Sequence, residues 1–454
     1  MGALARLRRR RLRILTFNTH EAFSHALAKT GHRFDVLAFP RPPWQPEWDE
    51  RSRPVPANVR IVGDSEDLPG LDLAQYDLLL AQTLAQFEVV EFAPLPKLLV
   101  LHAYFGCGPE WRSKQAALAS TNLRRRLDGV PIAYVSESLR RAWALPGKVI
   151  ANGIDARDYA AFPWSGESAA VLNVGHFLIE RADVTGWELW CEVTRDLPTH
   201  VVGINPKLPG VAPAASWQEL RRTYQTYRIY LSTTPGTGRG ALLEAAATGM
   251  PIVTTPRLDN LFTDGYDAVV SDDPARLRAG VVEFLSDREL ARTFGERARE
   301  TVLRRRGISR FLDSWRAELA ATARSRPRPY SAPIGVGEVA EVAAEIRPKN
   351  LTLELNRGEI GQAAVVVRNV GTRGWPSYTP HARGEVHLAY RLAEVEGLRS
   401  RLPADVAPGE ELYLDAFVRA PATPGRYTLR WRLVVELVTW IDGSETPDVE
   451  LIVR

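Results

Sequence analysis

From residue 13 to residue 255 the chain repeats one pattern, a short continuous apolar run followed by a helical segment. The runs at 13–17, 34–38, 76–81, 97–102 and 132–136 are too uniformly apolar to alternate between a wet and a dry face. Such strands are covered on both sides, and strands of this kind separated by helices build a parallel sheet with helices above and below it. The pattern then restarts with runs at 169–174, 199–203, 229–232 and 251–255. Helices expected over 274–285, 287–304 and 309–324 close this second set. The reading is two Rossmann-like domains, 1–150 and 151–325. Strand C-termini of both would face a shared cleft, the place where doubly wound sheets bind ligands.

At 326–333 the sequence Arg-Pro-Arg-Pro-Tyr-Ser-Ala-Pro cannot continue a helix and reads as a semi-rigid linker, 326–337. Beyond it helical periodicity disappears. Apolar runs at 351–355, 363–367, 386–390, 412–418, 427–433 and 449–453 are separated by turns such as Pro408-Gly409 and Pro424-Gly425. About seven short strands at this spacing imply an all-β sandwich of immunoglobulin-like shape over 338–454. The fold class is therefore α/β with a C-terminal β-sandwich. Trp375, Trp431 and Trp440, with Tyr390 and Tyr413, read chiefly as its core, and any exposed ring is a surface for stacking on sugars.

Composition narrows the function. A chain of 454 residues exceeds one compact core. The net charge of +4 spreads over interspersed signs and implies no nucleic-acid partner. Two basic clusters, Arg8 to Arg13 and Arg304 to Arg306, read as solvated surface or as weak attachment to the anionic inner face of a membrane. The two cysteines, Cys107 and Cys191, suit neither a disulfide scaffold nor a zinc site. No run is long enough for a signal peptide or a spanning helix, so a cytoplasmic location is expected. No Gly-Lys-Ser/Thr follows a glycine turn, and Asn18-Thr19-His20 stands where a dinucleotide site would put glycines. No His, Asp or Glu cluster has metal-ligand spacing, and neither a metal nor another cofactor is expected.

Asn152-Gly153-Ile154-Asp155 lies at the junction of the two α/β domains, a turn in which Gly153 would supply a positive φ. Further on come Val174-Gly175-His176 with Glu180-Arg181, then the glycine-rich Pro235-Gly236-Thr237-Gly238-Arg239-Gly240, then Leu243-Glu244-Ala245-Ala246-Ala247-Thr248-Gly249-Met250-Pro251. Together these resemble the retaining GT-B glycosyltransferases of family 4. In that resemblance the Asn-Gly-Ile-Asp element opens the second domain. His176 and Arg181 take the places of two basic residues that hold the donor diphosphate, His176 being a departure. The loop of Gly236, Gly238 and Arg239 opens the helix whose N–H groups approach phosphate. Glu244 matches the acid that accepts from the ribose hydroxyls. The family's other acid would stand at 236, where this chain has Gly236.

The resemblance implies a metal-independent, retaining transfer of a sugar from a nucleotide-sugar donor to a glycan, lipid-linked or protein acceptor, in cell-surface polysaccharide or glycoconjugate synthesis. The leaving phosphate itself takes the acceptor proton, and the protein supplies orientation and positive charge. His102, after the run 97–101, matches a histidine beside the donor sugar. His20 and Glu21, after the first strand, are further catalytic candidates, and Ser136 and Glu137 are candidates for acceptor contacts. The competing reading is a non-catalytic carbohydrate-binding or scaffold protein that lost the acid at 236. An epimerase on the same architecture would show catalytic carboxylates in the cleft.

Overall fold

The computed structural model describes residues 10–39, 47–91, 93–102, 127, 129–234, 240–256, 261–326, 332–377, 379, 383–393, 395–441 and 446–454. The chain forms two compact units, Met1–Gly108 with Val130–Pro327, and Pro109–Gly129 with Arg328–Arg454.

The first unit holds two parallel sheets. Among the described residues the N-terminal one has seven strands: β1 (Arg13–Phe17), β2 (Arg33–Ala38), β3 (Val59–Asp64), β4 (Leu78–Ala81), β5 (Lys97–Leu101), β6 (Ile132–Tyr134) and β7 (Lys148–Val149). Their order is β3-β2-β1-β4-β5-β6-β7. Helices α1 (Glu21–Ala28), α2 (Leu84–Val90) and α3 (Glu137–Trp143) connect them. The C-terminal sheet has β8 (Ser168–Val174), β9 (Thr199–Val202), β10 (Tyr227–Ser232), β11 (Ile252–Thr254) and β12 (Val269–Val270), in the order β12-β11-β10-β8-β9. Its helices are α4 (Ala182–Thr185), α5 (Trp187–Thr194), α6 (Trp217–Thr226), α7 (Gly240–Thr248), α8 (Pro274–Ser286), α9 (Arg288–Arg306) and α10 (Ile308–Thr322).

The continuous apolar runs have their cause in this layering. Ile14, Leu15 and Phe17 of β1 and Leu98, Leu99 and Val100 of β5 are buried whichever face they point to. Each such side chain taken from water stabilises the fold by roughly 1.5–3 kcal/mol. β3 escapes the sequence pattern because it is the sheet edge, with Arg60 and Ile61 exposed.

The second unit has nine strands among its described residues. β13 (Ala344–Pro348), β15 (Ile360–Asn369) and β18 (Glu411–Arg419) form an antiparallel sheet. β14 (Thr352–Leu355), β16 (Val386–Leu392), β17 (Val395–Arg401), β19 (Gly425–Val435), β20 (Thr439–Trp440) and β21 (Val449–Val453) form a mixed one, in which β14 runs parallel to β21. Both sheets contribute to one core: Ile346, Val365 and Leu414 meet Leu388, Trp431 and Leu451 there. Trp375, Trp431 and Tyr390 are fully buried, as core packing requires. Trp440 is half-buried, with the guanidinium groups of Arg391 and Arg399 4.8 and 4.6 Å from its ring centre.

No described helix is long and apolar enough to cross a membrane.

Candidate active site

Strand order reverses between β1 and β4 in the first sheet and between β8 and β10 in the second. Ligands of doubly wound sheets bind at the carboxyl ends of strands at such points. The end of β1 leads into Asn18-Thr19-His20 and α1, the end of β8 into Gly175-His176, and β5 ends one residue before His102. A cavity of about 140 Å³ lies between the two halves. Its walls include His20, His25, Lys29, Arg53 and His102 from the first half, and Asn152, Asp155, Glu244 and Phe311 from the rest.

Arg53 reaches across the cleft. Its guanidinium pairs with the Glu244 carboxylate on α7 and donates to the Tyr159 hydroxyl at 3.2 Å. It lies 5.0 Å from the ring centre of Trp217, a favourable place for a cation. Both partners are deeply buried, with side chains 5% and 8% exposed. Burial works against the charge of Arg53, and the carboxylate of Glu244 more than restores it, so its pKa stands above the ordinary value. A buried acid requires such a partner. Arg53 is the one the sequence does not reveal, since it sits in an irregular segment 191 positions away.

A second bridge joins the halves near their junction. Lys29, just after α1, donates to Asp155 at 2.8 Å and to Asp158 at 2.7 Å. Asp155 closes the Asn-Gly-Ile-Asp element and caps the turn 156–158 by accepting from the Arg157 N–H. Burial would raise its pKa, but hydrogen bonds from Arg157 and Lys29 hold it far below the usual carboxylate range. Gly153 does not take the positive φ expected of it. Its glycine serves close approach instead: a Cβ there would lie 2.5 Å from Cβ of Phe311 on α10. Asn152 brings a carbonyl oxygen, Oδ1, that is buried and accepts no hydrogen bond from the described residues.

Three imidazoles line the cavity. The ring of His102 meets His20 edge-on at 5.1 Å and Phe23 at 4.6 Å. His25 is held neutral: burial, then the nearby Lys29 charge, bring its pKa from 6.5 down to about 4. The unfolded chain binds a proton below pH 6.5 that the folded chain refuses until about pH 4. Stability from this group is therefore complete above pH 6.5 and lost as the pH falls toward 4. We expect a loss of about 2 kcal/mol, discounted for partial solvent contact. Urea midpoints at pH 7 and pH 4.5 measure it in comparison with His25→Gln, which should reduce the difference but not abolish it, because burial also lowers the pKa values of His32, His176 and His200.

The other predicted residues that the structure describes lie outside this lining. His176 accepts from the Ile204 N–H at 2.9 Å through Nδ1. Burial lowers its pKa; Asp49 opposes the shift, while Arg181 and Arg51 add to it, which brings His176 and Arg181 into one charged neighbourhood with the first half. Glu21 accepts from Asn18 at 3.1 Å and from the Asp49 N–H at 3.4 Å. Ser136 caps α3 by accepting from the Leu139 N–H, and Glu137 pairs with Arg140 and Arg141 on the same helix. Gly236, Gly238 and Arg239 lie outside the described residues, as does Cys107. Lys29, Arg53 and His25 line the cavity without any sequence signal that singled them out, whereas Asn152 was singled out only as part of the turn at the domain junction.

Residues 181–316 match the family described as glycosyl transferase-like. No curated protein matches the sequence. Among solved structures, the chain resembles Anabaena HepE in complex with UDP-glucose at 13% identity, covering 68% of this chain and 100% of that one, with a TM-score of 0.52. The same protein with UDP and glucose gives 14% identity, the same coverage and 0.53. Sucrose-phosphate synthase from Thermosynechococcus elongatus gives 15% identity over 68% of this chain and 100% of that one, with a TM-score of 0.50. The first unit has the GT-B fold. The matched segment 181–316 carries Arg181, the glycine-rich loop and Glu244, and it takes in the first two turns of α10.

Proposed function

We propose that the chain is a glycosyltransferase that moves a sugar from a nucleotide-sugar donor to a glycan, lipid-linked or protein acceptor. The observation that carries this is Glu244: a buried carboxylate inside the glycosyl transferase-like segment, facing a cavity shared by both halves of a GT-B fold. Glu244 accepts from the donor ribose. The N-terminus of α7 at Gly240, with Arg181, His176 and the loop of Gly236, Gly238 and Arg239, receives the diphosphate. His102 and His20 stand beside the transferred sugar, with Glu21 behind them, and the unfilled Oδ1 of Asn152 offers an acceptor to a ligand hydroxyl. The acceptor enters from the first half, where Ser136 and Glu137 follow β6.

Transfer is proposed to be retaining and metal-independent. The bond from the anomeric carbon to the phosphate oxygen breaks, the bond to the acceptor oxygen forms on the same face, and the acceptor proton passes to the departing phosphate. Positive charge and helix N–H groups stabilise that phosphate in place of a metal. The working division is an acceptor-side domain 1–150, a donor domain 151–325, a linker 326–337 and an immunoglobulin-like domain 338–454. We place the protein in the cytoplasm, at the inner membrane face, in cell-surface glycan synthesis. Gly236 favours a second reading, a carbohydrate-binding scaffold without turnover.

Incubation with UDP-, GDP- and dTDP-sugars, followed by release of nucleoside diphosphate and NMR of the freed sugar, separates the two. The uridine donors come first, because Anabaena HepE was solved with UDP-glucose. Slow release with the donor's anomeric configuration is expected. Nucleotide binding with no release from any donor, in the presence of candidate acceptors, would favour the scaffold.

A further inference from the structure

We propose that Arg53 is the positioning residue for ribose recognition, an inference that rests on the donor-site reading of Glu244. Arg53 belongs to the first half of the unit and Glu244 to α7 of the second, so the recognition group of one half is aimed by the other.

The geometry is specific on both sides of the pair. Arg53 is held from several directions: Nη1 donates to the Ser52 carbonyl at 2.6 Å, Nη2 donates to Tyr159, and the guanidinium carbon lies over the Trp217 ring, 5.0 Å from its centre. Its own carbonyl accepts from Trp48 Nε1 at 2.7 Å, which anchors the backbone beneath it. This is a preorganised fork with little freedom left to lose. Its grip on Glu244 uses one carboxylate oxygen, Oε1. The second oxygen accepts nothing from the described residues, and Glu244 lines the cavity. A carboxylate pinned at one oxygen presents the other in one direction. A glutamate on a helix without that pin would have three side-chain torsions to settle before accepting from a hydroxyl. Arg53 also supplies the countercharge that allows an acid to stay at this depth.

Two roles are possible for an arginine in this position, and they have opposite signs. A positioning residue makes the ribose bind more tightly. A plug that the ribose must displace makes it bind less tightly. The free second oxygen and the four-way anchoring of Arg53 point to the first.

The test titrates UDP, GDP and ADP, each beside its 2′,3′-dideoxy form, into the full chain and into Arg53→Ala, Arg53→Lys, Glu244→Gln and the double variant Arg53→Ala/Glu244→Gln. The unsubstituted chain should prefer the ribonucleotide that binds best over its dideoxy form by about tenfold, the worth of one good hydrogen bond to a charged group. Arg53→Ala should lose about that factor on the ribonucleotide, keep its affinity for the dideoxy form, and so bring the ratio close to one. The double variant should bind no more weakly than Glu244→Gln alone, since Arg53 acts through Glu244. Arg53→Lys keeps the charge without the fork and should show a partial loss confined to the ribonucleotide; it carries the test if Arg53→Ala does not fold. Tighter binding by Arg53→Ala, or equal weakening toward both sugar forms, would overturn the proposal while leaving the donor site standing. Failure of the unsubstituted chain to bind any of these three, or dTDP, would overturn the donor site itself.

Discussion

Glu244→Ala is expected to destabilise the folded chain by about 3–5 kcal/mol and to weaken nucleoside diphosphate binding at least tenfold. The stability loss follows from the partner left behind. Arg53 has a side chain only 5% exposed, and without Glu244 its charge stays buried with only neutral partners. In thermal unfolding the loss should appear as a fall on the order of 10 °C for a unit of this size. Glu244→Gln keeps an oxygen for Arg53 and should fall by less than half as much. A Glu244→Ala protein with an unchanged melting temperature would mean that the pair does not hold the halves together in solution.

Trp315→Ala should cost a similar amount, about 3–5 kcal/mol, for a different reason. α10 closes the second half of the unit, yet its aromatic face packs on α1 of the first. Trp315 is fully buried, with its ring 5.5 Å from Phe23 and 6.1 Å from Phe311. Truncation leaves a cavity where the halves join, and Phe23 also packs on His102, so the His102 wall of the cavity should loosen as well. The indole N–H of Trp315 is buried and meets no acceptor among the described residues. Phenylalanine removes that orphaned donor and fills most of the volume, so Trp315→Phe should cost under about 1.5 kcal/mol. Calorimetric unfolding of both variants checks the pair. A loss below about 1 kcal/mol for Trp315→Ala would show that α10 does not brace the first half.

What the sequence revealed and what it hid divide along physical lines. Strands buried on both faces, such as β1, β5 and β10, announce themselves as unbroken apolar runs. β3 and β17 do not, because Arg60 and Ile61 in one and Val395 and Glu396 in the other are exposed and their composition is that of surface. Glu244 was legible because its neighbours form a recognisable helix entry. The partner was not legible. Arg53 and Lys29 meet residues 191 and 126 positions away, and only the packing of one half on the other brings them there. Gly153 illustrates a third case. The residue type was informative, but a glycine serves either an unusual backbone angle or a close neighbour, and only the position of Phe311 decides between them.

The central claim is that the cleft holds a nucleoside diphosphate through Glu244. Calorimetric titration of UDP, GDP and dTDP into the full chain, repeated with Glu244→Gln, tests it most directly. Saturable binding of at least one of them below millimolar concentration, weakened by the substitution, is expected. No binding of any of the three at millimolar concentration, or affinity that Glu244→Gln leaves unchanged, would contradict it.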